Sequence, residues 1–79
     1  MLTISVGDTV TWHNRDAVRH TATRTDPPPF DTGLIQSGTT SNPQQFLVAT
    51  NNDGIGYFCR PHPFMQGVVV VSNLLQGRT

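Results

Sequence analysis

Turn-forming residues interrupt this chain so often that no window of a dozen positions carries apolar side chains at helical spacing, which points to an all-β domain. Leu2, Ile4 and Val6 alternate with polar residues, Gly7-Asp8 reads as a turn, and Val10 and Trp12 resume the alternation, so a first hairpin is predicted. Phe46 and Val48 alternate again before the turn Asn51-Asn52-Asp53-Gly54, which predicts a second hairpin. On its far side Ile55, Tyr57 and Cys59 share one strand face, so the thiol should point inward with two packing residues. Residues 68–71, all valine, are too few for a helix and suit a strand packed on both sides. Residues 14–19, 25–29 and 36–43 read as loops, the second because three successive prolines withhold ladder donors. A short extended piece is expected at 20–23 and an apolar patch at Leu34-Ile35, while the weakly patterned tail after Ser72 is expected to fray.

With 79 residues the chain has room for one domain, residues 1–79. A domain this small buries only roughly 60% of the surface its unfolded chain exposes, so a metal or a partner would help it. Arginine balances aspartate, five against five, and Lys and Glu are absent. Nothing in that composition suggests a phosphate-tracking surface, so nucleic acid is not expected as a partner. No stretch approaches the ~20 apolar residues of a membrane span, and no basic start followed by an apolar run marks a targeting signal. Cys59 stands alone, which excludes an internal disulfide and leaves a ligand, a nucleophile or a core filler.

The informative segment is Cys59-Arg60-Pro61-His62-Pro63-Phe64-Met65, where a thiol, an imidazole and a thioether recur at every third position of a proline-restricted loop. Singly, each has a plainer explanation: a small buried hydrophobe, a surface or hydrogen-bonded histidine, a core gap-filler. Together, between a strand and a valine-rich strand, they suit a trigonal Cys-plus-two-His copper site with a long axial Met, which requires one more imidazole. His20 is the candidate, since it follows the first strands where a sandwich can bring its loop beside the loop after Cys59; His13 should face solvent. Structural zinc fits poorly, because it favours four Cys or His ligands. A Cys-His nucleophile pair stays conceivable, although no third group to orient the imidazole is evident.

Four segments carry a resemblance that covers most of the chain: Val6-Gly-Asp-Thr-Val-Thr-Trp12, Asn14-Arg-Asp-Ala-Val-Arg-His20-Thr21, Tyr57-Phe-Cys-Arg-Pro-His-Pro-Phe-Met65 and Gly67-Val-Val-Val-Val71. The chain resembles the cupredoxins, of the amicyanin and plastocyanin-like kind. The resemblance implies a Greek-key β-sandwich holding one copper ion, with His20, Cys59 and His62 in the trigonal plane and Met65 as the weak axial ligand. It implies that Thr21 ties the two ligand loops together and gives its N–H to the sulfur, and that Pro61, lacking an N–H, withholds a second such bond. The implied function is single-electron transfer between Cu(II) and Cu(I), not catalysis, in an extracytoplasmic setting such as the periplasm. A redox protein would dock near His62, on a patch made by Pro61, Pro63 and Phe64 with Arg19 at its rim. Alternative readings are a blue-copper domain of a multicopper oxidase or nitrite reductase, or a copper carrier. The oxidases place a histidine beside the cysteine for the next copper, whereas here the neighbours are Phe58 and Arg60.

The chain departs from the family pattern in three ways. Ile55 stands where a tyrosine is common, and Arg19 replaces a frequent proline before the first histidine. The family also usually has a strand ahead of Leu2, so the fold is expected to lack its first strand and to self-associate through the β-edge near Leu2 to Val6.

Overall fold

The structure, a computed structural model, describes residues 1–73, and the weakly patterned tail predicted to fray lies, from residue 74 on, outside them. Among the described residues every regular element is a strand: β1 (Leu2–Ser5), β2 (Thr9–Val10), β3 (Thr23–Arg24), β4 (Phe30–Asp31), β5 (Gln44–Gln45), β6 (Ile55–Phe58) and β7 (Gln66–Ser72). The valine run behaves as its β-branched side chains dictate and builds β7, in which Val69 and Val71 have no exposed surface. β7 lies inside a five-stranded sheet of order β1-β7-β6-β3-β4, while β2 and β5 form a second, two-stranded sheet. Val69 and Val71 meet Val10 and Phe46 from the other layer, and Ile4, Trp12, Phe30, Ile55 and Tyr57 pack around them. An edge-to-face contact of Trp12 on Tyr57, centroids 5.4 Å apart, closes this core on the side of the ligand loop.

Both predicted hairpins are overturned, although both turns exist. Gly7 turns the chain at φ 94°, but β1 then pairs parallel with β7 and β2 antiparallel with β5. Gly7 N–H donates to Phe46 O and Phe46 N–H to Asp8 O, so this turn carries the chain from one layer to the other. At the second turn Asp53 N–H donates to the Asn51 side chain and Gly54 adopts φ 74°. The segment before it does not pair with β6, however: regular pairing ends at Gln45, and Val48 is 64% exposed. Period-two alternation tells which face a residue takes and not which strand lies beside it; a parallel partner far along the chain leaves no local mark. The proline loop does connect two strands, of which β4 was not foreseen because it contributes only two residues.

Candidate metal centre

β6 ends at Phe58, and the next residue continues its inward face, so Cys59 is buried at 4% exposure as the alternation predicts. The following loop folds back on itself. Cys59 N–H donates to Met65 O at 3.0 Å, His62 N–H to Cys59 O at 3.1 Å, and Met65 N–H to His62 O at 2.8 Å. Pro61 and Pro63 restrict φ on either side of His62, so this ring is presented from a stiff turn.

His20 comes from a separate loop whose organiser is Asn14. The buried Asn14 amide donates to Val18 O and Ile35 O, and its side-chain oxygen accepts from Asp16 N–H. A two-bond bridge between His20 and Ile35 fixes the end of this loop beside Cys59. His20 Nδ1 lies 3.3 Å from Cys59 Sγ, and His62 Nδ1 lies 3.6 Å from the same sulfur. The three donor atoms fall within 4.8 Å of one another, with the two rings 5.1 Å apart between centroids. On the far side of His20, Nε2 pairs with an Asp16 carboxylate oxygen at 2.7 Å. In the neutral ring a proton held there frees the Nδ1 lone pair for a metal, the tautomer a ligand needs; in the metal-free protonated ring Nδ1 donates to the sulfur instead.

The electrostatics follow from the same contacts. Burial pushes the Cys59 thiol up, but the Thr21 backbone N–H, the two imidazoles and the His62 backbone outweigh it and bring the thiol down from 9.0 to about 7. His20 is raised from 6.5, chiefly by its bond to Cys59 and next by Asp16. Both shifts favour a thiolate beside a protonated imidazole, a pair that can give up its protons in exchange for a soft or borderline metal ion. The donor set of one sulfur and two imidazole nitrogens fits copper better than the oxygen-seeking ions.

Met65 lines the same cleft as His20 and Cys59, about 410 Å³ in volume. Thr21, buried, accepts the Arg60 N–H on its hydroxyl at 2.9 Å, a tie between the two loops. Arg19, Pro61, Pro63 and Phe64 are all exposed around the half-buried His62 ring, Phe64 at 80%. His13 is exposed and pairs with Thr40 through Nδ1; it lines the same cleft but is not one of the three converging donors. Sequence reasoning missed Asn14 and Asp16, treating them as part of a polar loop. The Asn-x-Asp turn spacing and the Asp-x-x-x-His spacing were the available signals.

No family model matches the chain. It is 37% identical over 76 residues to amicyanin of Paracoccus denitrificans, a match over 89% of this chain and 53% of the relative. With amicyanin-alpha of Methylorubrum extorquens it is 38% identical over 69 residues, covering 86% of this chain and 57% of the relative. The chain thus spans about half the length of the curated relatives it matches. Among solved structures, a reduced tryptophan-to-tyrosine mutant of amicyanin superposes with a TM-score of 0.79 at 32% identity, over 90% of this chain and 68% of that one. The Cu(I) form of another amicyanin mutant superposes with a TM-score of 0.78 at 33% identity, over the same shares.

Proposed function

The chain belongs to the cupredoxin family, with amicyanins as its relatives, and on that premise we propose that it holds one copper ion and passes single electrons between redox partners, with no catalytic step of its own. The observation that carries this reading is the convergence of two imidazole Nδ1 atoms on one buried thiol, at 3.3 and 3.6 Å. Bound copper would supply a one-electron couple between Cu(I) and Cu(II). His20 and His62 would hold it through Nδ1, Cys59 through the thiolate, and Met65 through its thioether as the weak fourth ligand. Asp16 keeps His20 in the binding tautomer, and Thr21 gives the thiolate an N–H while its hydroxyl anchors the Cys59 loop. Pro61 keeps a second N–H away from the sulfur. A donor set held this way by two tied loops has little to rearrange when charge arrives or leaves.

The entry point is His62. Its ring edge reaches the surface beside the exposed Pro61, Pro63 and Phe64, with Arg19 on the neighbouring loop, a cluster that a redox protein of apolar face can cover while excluding water. An extracytoplasmic location and a single domain across residues 1–79 complete the reading, the latter supported by a hydrophobic cluster that both sheets share among the described residues.

Copper titration into the metal-free protein should give one equivalent of an intense red-region thiolate-to-copper band that vanishes on one-electron reduction. Cys59→Ser should abolish the band, and Met65→Leu should keep it while raising the potential. An intense band surviving in Cys59→Ser would overturn the assignment.

A further inference from the structure

One set of polar contacts near the sulfur serves no donor atom directly. Arg60 N–H donates to Thr21 Oγ1 at 2.9 Å, and Thr21 Oγ1 lies 2.8 Å from Thr23 Oγ1. Thr23 Oγ1 donates to Asp31 Oδ1 at 3.2 Å, and the other oxygen of Asp31 accepts from Arg60 Nε at 3.1 Å. The ring closes on the residue where it began, so Arg60 is held by its backbone and by its side chain.

Hydroxyl bookkeeping gives the ring a direction. Each threonine has a single O–H to donate. Thr23 spends its own on Asp31, so the bond between the two threonines must be donated by Thr21, whose oxygen in turn takes the Arg60 N–H. The relay therefore runs from the loop backbone through two buried hydroxyls and ends on a carboxylate, which polarises the bonds before it. Gly33 N–H also donates to Asp31 Oδ1, at 2.8 Å, and steadies the carboxylate from β4's end. The ion pair itself is about half exposed, and pairs so exposed add little to stability. Its effect belongs instead to the placing of a loop.

We propose that Asp31 and Arg60 are positioning residues of the metal centre: together they clamp the first residue of the ligand loop, and with it the Cys59 sulfur and the Thr21 N–H that faces it. This rests on the copper reading above for its consequence, though the clamp itself is a property of the metal-free chain. Neither residue touches the donor atoms. Both act through Thr21 and through the peptide that follows Cys59.

Two measurements on Asp31→Asn, Arg60→Met and the double variant test it. In the metal-free protein, amide exchange at Arg60 N–H should quicken roughly tenfold in each variant, as expected for the loss of about one net hydrogen bond. In the copper-loaded protein both single variants should move the midpoint potential in the same direction, and the double variant by no more than the larger of them, because one clamp has been opened. Plain through-space charge predicts otherwise: neutralising the anion would raise the potential, neutralising the cation would lower it, and the double variant would cancel. Opposite and cancelling shifts, or unchanged Arg60 exchange, would overturn the clamp. Should the unaltered chain develop no intense thiolate band, the copper reading falls by itself, while the exchange measurement still decides whether the ring holds the loop. Where Arg60→Met does not fold, Asp31→Asn against the unaltered chain suffices: unchanged exchange sinks the proposal, and quickened exchange supports it.

Discussion

Cys59 meets four donors: a backbone N–H from Thr21, an imidazole from a loop 39 positions upstream, and the imidazole and backbone N–H of the histidine three positions on. Burial alone would make such a thiol a poor acid, so its fall to about 7 measures how strongly those donors favour the thiolate. The folded value lies below the ordinary 9.0, so the thiolate stabilises the metal-free fold fully above that ordinary value. That contribution is lost as pH falls through about 7. Thiolate absorbance of the metal-free protein should titrate with a midpoint near 7, and His20→Ala should move the midpoint upward by removing one of the donors. A midpoint unchanged by that substitution would show that the upstream imidazole does not act on the sulfur. The local half of this centre was legible because Cys59, His62 and Met65 lie within one turn of chain. His20 was legible only with the sandwich topology in hand. Asp31 was not legible at all, since its partners Thr23 and Arg60 meet it across the sheet and leave no spacing to read.

Elements were legible where side-chain chemistry alone decides them, as with the valines of β7, and illegible where the choice of neighbour decides. The turn ahead of β6 separates the two. Asn51 to Gly54 was read as a hairpin turn, and its glycine is indeed required, but by a strand the local pattern did not point to. A Cβ at Gly54 would sit 2.6 Å from Val69 O and 2.7 Å from a Val68 methyl, both in β7, at a φ of 74°. Gly7 also has positive φ, 94°, yet a Cβ there would meet nothing within 4 Å. Gly7→Ala should therefore cost about 1–2 kcal/mol, the left-handed backbone penalty alone. Gly54→Ala adds a collision with backbone that cannot swing away, and should cost at least ~1 kcal/mol more. Denaturant midpoints of the two variants, at equal m, order them. Equal losses would mean that β7 yields at this point, and with it the register that delivers Cys59 to the site.

At the scale of the molecule the feature to explain is the outer side of β1, which among the described residues has β7 on one side only. Leu2 and Val6 are 45% and 40% exposed there, and self-association along this strand is the reading the sequence suggested. The hydrogen bonds narrow it. Val6 N–H donates to Ser72 O, so by the alternation of a parallel ladder Ile4 and Leu2 also turn their N–H groups toward β7, and Thr3 and Ser5 turn theirs outward. Ser5 N–H is already taken by the Asp8 carboxylate at 2.9 Å, which blunts that end of the edge in the way native edges are commonly guarded. Thr3 N–H is then the central donor a second copy would use, and a two-fold pairing of β1 with its own copy satisfies it at both ends. Thr3→Pro should dissociate such a dimer and leave β7 paired, because proline is tolerated on an edge whose N–H faces away from the sheet. Ile4→Pro should instead strip a bond from β7 and lose fold and assembly together. Sedimentation at tens of micromolar, beside far-ultraviolet dichroism, separates these outcomes. A protein already monomeric at that concentration, with Thr3 N–H slow to exchange, would show that the chain guards this edge by itself.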